Sequence, residues 1–145
     1  MRTNVRRNEI GFVFQRFNLI SGLNAIENVN LPLRLRGGLS EKALQKRGEH
    51  LLEQVGLGPQ MYANPDSMSV GQCQRVAIAR ALSTRPKIVL ADEPTASLDS
   101  TSGNQSIQML KNVTREQGAS CIVVTHALGF SSSLTASLNL SLIHI

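Results

Sequence analysis

Residues 87–93 read Lys-Ile-Val-Leu-Ala-Asp-Glu, an apolar run that ends in two adjacent carboxylates. A short apolar run of this kind is typical of a buried strand. Two neighbouring carboxylates repel each other unless a proton or a cation relieves them. Mg²⁺ suits them, because it prefers hard oxygen ligands and binds through one or two carboxylates plus phosphate. Asp92 and Glu93 therefore indicate a metal-assisted site at the end of a strand.

Two other apolar runs, residues 10–14 and 121–125, also end in a polar side chain, Gln15 and His126. Taken singly, each of these side chains is accounted for as a turn residue that leaves the sheet. In open α/β sheets, however, ligands bind beyond the carboxyl ends of the strands. Three polar endings together suggest one shared site.

Helical patterns fill the gaps between these runs, at residues 40–55, 69–82 and 104–117. Strands that alternate with helices predict an α/β fold with a parallel sheet. Ser69 and Gln72 have the spacing of a capping box, and the backbone N–H groups of such a helix start can bind an anion. An ordinary helix cap also accounts for Ser69. Residues 31–35 alternate like a strand, although Pro32 weakens that interpretation.

Five motifs resemble those of ATP-binding cassette (ABC) ATPases, in family order and spacing, over about residues 9–126. The segments similar to the Q-loop and to the signature motif with its helix are residues 13–15 and 69–82. Those similar to the Walker B strand with its glutamate, the D-loop and the switch histidine are residues 88–95, 97–99 and 124–126. The resemblance implies an α/β, P-loop NTPase fold of the ABC type. Residues 28–33 and 90–100 resemble the exporter branch with lipoprotein-release, macrolide-export and DevA-type ATP-binding subunits.

The resemblance also implies ATP and Mg²⁺ as cofactors and assigns catalytic roles at the strand ends. Glu93 would polarise the attacking water, and Asp92 would hold Mg²⁺ directly or through water. His126 would contact the γ-phosphate, and Gln15 would link the metal and the water to a transmembrane partner. Phosphoryl transfer needs these functions of positioning, charge neutralisation and nucleophile orientation.

A second ATPase subunit is the implied partner, in a head-to-tail dimer with two shared ATP sites. Ser69, Gly71 and Gln72 would contact the γ-phosphate held by the opposite subunit, and Asp99 would bridge the two sites. The helical subdomain, about residues 18–84, would dock onto a membrane permease. The expected localisation is cytoplasmic, peripheral on the inner face of the cell membrane. The expected function is ATP hydrolysis that energises export.

The sequence departs from the family pattern in three places. No G-x-x-x-x-G-K-[ST] phosphate-binding loop occurs, so we expect residues 1–126 to be a partial domain that is inactive alone. Val70 replaces the first glycine of the signature pair, where a Cβ could crowd a phosphate; the alternative is that this branch tolerates it, since Gly71 remains. Ala127 stands where the family has an acid, and no Lys, Arg, Asp or Glu follows Glu116. We expect residues 127–145 to be an atypical tail, frameshifted or foreign; the alternative is a divergent ending with a last strand at 139–145.

Composition limits the other function classes. Hydrophobic residues make up 41% and charged residues 17%, which fits a globular chain. Aromatic residues are 3%, which argues against a surface that stacks the bases of single strands. The net charge of +5 leaves open an ABC ATPase that acts on nucleic acid or ribosomes. The sequence has no long coiled-coil insertion or second cassette that would support this alternative. We therefore expect no nucleic-acid partner. The remaining alternative is a non-catalytic fragment that docks on a partner.

Overall fold

Four strands form one sheet in the computed structural model, which describes residues 9–125 together with residues 143 and 144. The strands are β1 (Ile10–Val13), β2 (Ile88–Asp92), β3 (Ser120–Val124) and β4 (Ile143–His144). Their order is β1-β2-β3-β4, and β1, β2 and β3 run parallel while β4 is antiparallel to β3. The predicted α/β fold with a parallel sheet is confirmed.

Within the described part of the chain, four α-helices connect and cover the strands. They are α1 (Ala25–Arg36), α2 (Glu41–Gln54), α3 (Val70–Leu82) and α4 (Ser100–Glu116). The predicted helices at 40–55 and 69–82 are confirmed to within one residue, because Ser40 and Ser69 are their N-caps. Among the residues that the structure describes, no helix is long and apolar enough to span a bilayer.

The core lies between the helices and one face of the sheet. Alternate residues of the strands are buried on that face, including Val13, Val89 and Val123. Helix α3 packs against β1, and α4 packs against β3 and α3, while α1 and α2 pack on each other and on α3. This arrangement leaves the carboxyl ends of β1, β2 and β3 along one edge of the sheet.

The alternation at residues 31–35 does not form a strand. These residues lie in α1, which begins at a capping box where Asn24 Oδ1 accepts from the Glu27 N–H at 3.0 Å and Glu27 accepts from the Asn24 N–H at 2.9 Å. The Asn28 amide is fully buried and bonds to the backbone of the preceding loop at Ile20 and Leu23. This cap and anchor outweigh the one hydrogen bond that Pro32 removes.

Two further sequence expectations meet the structure near its carboxyl end. Helix α4 begins at Ser100, four residues before the predicted start, because Asp99 caps it by accepting from the Ser102 N–H at 3.1 Å. In the tail, Ile143 pairs with Val123, and this strand falls within the range of the divergent-ending alternative. Residues 126–142 and 145 lie outside the described residues, so the atypical origin of 127–145 stays a prediction.

Gly11 provides a test of how closely α3 packs against β1. A Cβ at this position would lie 2.2 Å from the Ala81 carbonyl oxygen and 3.2 Å from Pro86 Cγ. Because backbone cannot yield as a flexible side chain does, Gly11→Ala is expected to lower the free energy of unfolding by about 1–3 kcal/mol or more. Urea denaturation measures the change. The control Gly22→Ala, with no neighbour within 4 Å of the new Cβ, should stay within about 0.5 kcal/mol of the parent; equal losses in both variants would contradict the packing.

Candidate functional site

The parallel strands β1 and β2 bring two of the three predicted polar endings to one edge of the sheet. Val13 pairs with Ala91, Ala91 with Val123, and Asp92 with Val124. Gln15 and Glu93 therefore follow neighbouring strands at the same edge. His126, predicted at the end of β3, lies outside the described residues.

Glu93 sits at a sharp backbone turn directly after β2. Its φ of 46° is in the left-handed region, which is costly for a residue with a Cβ. The turn is held by a hydrogen bond from the Glu93 N–H to the Val124 carbonyl at 2.8 Å. The buried Thr125 hydroxyl donates to Glu93 Oε2 at 3.3 Å. Thr125 thus orients the carboxylate, and nothing in the sequence pattern distinguished it from an ordinary strand residue.

Asp92 is the last residue of β2, and its side chain is exposed. Within residues 9–125 its carboxylate takes part in no hydrogen bond or ion pair. No group of three or more His, Cys, Asp or Glu side chains in the described part of the chain could enclose a metal ion. The Asp92 carboxylate suits a cation that takes most of its ligands from water or phosphate, as Mg²⁺ does.

Gln15 is exposed at the start of a strained turn that follows β1. Phe17 and Asn18 have φ values of 60° and 49°, both in the left-handed region. The Arg80 guanidinium, from α3, donates to the Asn18 carbonyl at 2.6 Å and also to the Phe17 carbonyl. Burial lowers the pKa of Arg80. This arginine fixes the turn beside Gln15 from a position far away in sequence, so local spacing could not reveal its role.

The predicted capping box at the start of α3 is confirmed. Ser69 Oγ accepts from the Gln72 N–H at 3.2 Å, and Gln72 Oε1 accepts from the Ser69 N–H at 3.0 Å. The backbone between them, at Val70 and Gly71, leads into the first helical turn, where N–H groups have no partner within the helix. A Cβ at Gly71 would meet no atom within 4 Å, so this backbone is open to a ligand.

A groove of about 460 Å³ separates the N-terminus of α3 from that of α4. It is lined by both caps and by the residues that follow them: Ser69, Val70, Gly71, Gln72, Arg75, Ser97, Leu98, Asp99, Ser102, Gln105 and Ser106. Hydrogen bonding to Ser102, through its side chain and its backbone, lowers the pKa of Asp99 below the ordinary 3.8. Two helix N-termini that converge on one groove favour a negatively charged ligand there.

The structure thus divides the predicted site residues into two sets. Ser69, Gly71, Gln72 and Asp99 line the groove. Asp92 and Glu93 lie at the sheet edge with Thr125, and neither carboxylate lines the groove. A single chain therefore presents a groove between two helix N-termini and a pair of carboxylates in separate places.

Comparison with known proteins assigns this architecture. The family model described as ABC transporter matches residues 1–96. An uncharacterized ABC transporter ATP-binding protein of Methanocaldococcus jannaschii, MJ0796, is 50% identical over 86% of this chain and 54% of its own length. The lipoprotein-releasing system ATP-binding protein LolD 2 of Caulobacter vibrioides is 45% identical, with the same coverage of 86% and 54%.

Solved structures agree with these matches. The dimeric post-hydrolysis state of MJ0796 bound to ADP and Pi has a TM-score of 0.74 at 48% identity, over 86% of this chain and 55% of that chain. A second dimeric MJ0796 structure has a TM-score of 0.75. The chain spans about half the length of the curated relatives that it matches. By its sequence motifs, its fold and these matches, the chain belongs to the ABC transporter family of ATP-binding proteins.

Proposed function

We propose that the chain is part of an ATP-hydrolysing subunit that energises export across a membrane. The observation that carries the proposal is the division of the site: an anion groove at two helix N-termini, and two carboxylates at the sheet edge that do not line it. Two such chains placed head to tail would each complete the other's site. The relative MJ0796, which is dimeric in both of these solved structures, supports this arrangement.

At the sheet edge, Glu93 acts on the attacking water. Its carboxylate, positioned by Thr125 and by the turn at φ 46°, accepts a hydrogen bond from the water and aligns it with the phosphorus. Asp92 holds the Mg²⁺ that accompanies ATP, and Gln15 approaches the same edge from the neighbouring strand. Bound Mg²⁺-ATP supplies the phosphoryl group and the charge neutralisation. His126 would contact the γ-phosphate, as its resemblance to the switch histidine implies.

At the groove, the start of α3 binds the γ-phosphate of the nucleotide held by the opposite subunit. Gly71 and the neighbouring backbone supply N–H donors, while Ser69 and Gln72 fix the helix start through their reciprocal hydrogen bonds. The Val70 side chain lies at the rim, 48% exposed. Asp99 stays ionised and bridges the two shared sites.

The helical region places the subunit on a membrane partner. Helix α1 lies beside the turn after β1, because Leu31 and Leu35 line the same cavity as Asn18, and Arg80 ties this turn to α3. A permease that contacts this region would therefore sense the state of Gln15 and of the signature helix together. The lipoprotein-releasing system named for the Caulobacter relative supports a membrane partner, export and a peripheral position on the inner face of the cell membrane.

A mixing experiment tests the shared site. Residues 9–125 replace the matching segment of MJ0796, whose own residues remain on both sides, which gives a protein that we call the joined cassette. Ser69→Arg blocks the groove, and Glu93→Gln removes the carboxylate, so each variant alone should be inactive as an ATPase. A mixed dimer, however, retains one site with an intact Glu93 and an intact groove.

Mixing the two inactive variants is therefore expected to restore part of the phosphate release, measured by a coupled assay. Two copies of the same variant at the same total concentration provide the control. Absence of any recovery, with mixed dimers demonstrated by cross-linking, would overturn the proposed division of labour.

A further inference from the structure

Three arginines surround a cavity of about 490 Å³ that the proposed function does not use. Arg36 ends α1, Arg47 lies in the middle of α2, and Arg85 lies in the turn after α3. Residues Gly37 and Gly38 form part of the same wall. Among the described residues, no acidic side chain lines this cavity, and none of its lining residues lines the groove at Ser69 to Ser106.

Arg47 joins three helices at the floor of this arginine cavity. Its guanidinium donates to the carbonyls of Leu82 at 2.9 Å and Ser83 at 3.2 Å, at the end of α3, and to Gln117 Oε1 at 3.2 Å. Burial, followed by the positive charge of Arg85, lowers the pKa of Arg47 to about 10. Arg47 thus faces the negative end of the α3 dipole, with the positive charge of Arg85 nearby.

The other two arginines carry charge that no partner neutralises within residues 9–125. Arg36 and Arg85 are exposed and enter no ion pair there. Glu41, the carboxylate nearest to Arg36 in sequence, is held by both terminal nitrogens of Arg34 at 2.7 Å. Arg85 has a φ of 53°, a costly conformation that the turn imposes. Two unpaired guanidinium groups thus remain available at the cavity mouth.

A second cavity, of about 300 Å³, shares Arg47 and Arg85 and adds His50 and Gln117. Gln117 Nε2 is buried and has no hydrogen-bond partner in the described part of the chain. The carboxylate that lines this second cavity, Glu116, accepts from Gln54 Nε2 at 2.9 Å. An unsatisfied N–H donor beside two arginines is a favourable partner for an oxyanion.

We propose that the arginine cavity binds a phosphate group, carried by a small soluble molecule or by a lipid headgroup. Planar guanidinium groups match the geometry of phosphate oxygens and bind them through paired hydrogen bonds. The volume lies within the range of small-ligand sites. The cavity would be a second anion site, separate from the nucleotide groove.

Calorimetric titration of the chain with pyrophosphate tests the soluble source, with sodium chloride added to keep the ionic strength constant. Arg36→Gln and Arg85→Gln each remove one charged donor, and Arg115→Gln is the matched control, because Arg115 is exposed and lines neither cavity. Each test variant should weaken binding about tenfold, as expected for one charged hydrogen bond, while the control leaves it unchanged. Arg47 is not substituted, because removing its guanidinium would take away hydrogen bonds from the Leu82 and Ser83 carbonyls at the end of α3.

Flotation with vesicles of phosphatidylcholine, with and without phosphatidic acid, tests the lipid source. Binding that requires phosphatidic acid and is lost in both test variants would identify the headgroup. Circular dichroism checks that the variants remain folded. The rise in melting temperature on addition of pyrophosphate gives a second measure of binding. Pyrophosphate and vesicle binding that are both absent, or that both persist in Arg36→Gln and Arg85→Gln, would overturn the site.

Discussion

Replacing Glu93 by glutamine in the joined cassette is expected to leave ATP binding intact and to lower the turnover rate by about 100-fold or more. Glutamine keeps the shape of the side chain and can still receive the hydrogen bond from Thr125, which lies 3.3 Å from Glu93 Oε2. It removes the negative charge that polarises water. Phosphate release under saturating Mg²⁺-ATP measures turnover, and equilibrium binding of a fluorescent ATP analogue measures affinity.

Glu53→Gln is a suitable control for that experiment, because Glu53 is exposed on α2 and lines neither the groove nor the sheet edge. This control should retain the parent rate. A Glu93→Gln rate within a few-fold of the parent would remove Glu93 from its proposed role. If Glu93→Gln lost nucleotide binding together with turnover, Glu93 would instead be assigned to nucleotide binding or to folding.

The second large effect concerns the 145-residue chain itself, which is expected to bind Mg²⁺-ATP far more weakly than the joined cassette. Much of the affinity for a triphosphate comes from loop N–H groups and a lysine around the β- and γ-phosphates, and the sequence contains no G-x-x-x-x-G-K-[ST] motif. The unpaired Asp92 carboxylate also repels a polyphosphate until Mg²⁺ arrives. The groove at the start of α3 would contact only the γ-phosphate, so the rest of the nucleotide would gain no binding energy from it.

Calorimetric titration of the monodisperse chain with Mg²⁺-ATP, beside the joined cassette under the same conditions, measures this difference. Micromolar binding by the chain alone would reveal a triphosphate site other than the proposed one. Repeating the titration with Arg85→Gln separates the nucleotide site from the arginine cavity. Heat that disappears in that variant would come from the cavity.

Local sequence spacing was enough to predict several features of the site. Ser69 and Gln72 lie three residues apart, and a capping box depends only on that spacing and on a following helix. Asp92 and Glu93 follow an apolar run, and the parallel sheet brings them to the edge where Gln15 also lies. The roles of these residues in ATP hydrolysis remain proposals.

The predictions from sequence were wrong where two local patterns, such as residue alternation and a helix cap, indicated different structures. Pro32 and the alternation around it concealed α1, although Asn24 and Glu27 carried the spacing of a capping box. Helix α4 begins earlier than its apolar pattern because Asp99 caps residues that are polar and small. Both errors arise because hydrophobic periodicity locates buried faces and not the ends of helices.

The sequence by itself determined the alternation of strands and helices, the caps at Ser40 and Ser69, and the family, since each depends on neighbouring residues or on motifs in order. Only the tertiary structure decided which distant groups meet: Thr125 with Glu93, Arg80 with the turn after Gln15, and the three arginines around one cavity. It also separated the groove from the carboxylates. These contacts join residues far apart in the chain, and their geometry follows from how α3 and α4 pack on the sheet, which no local pattern encodes.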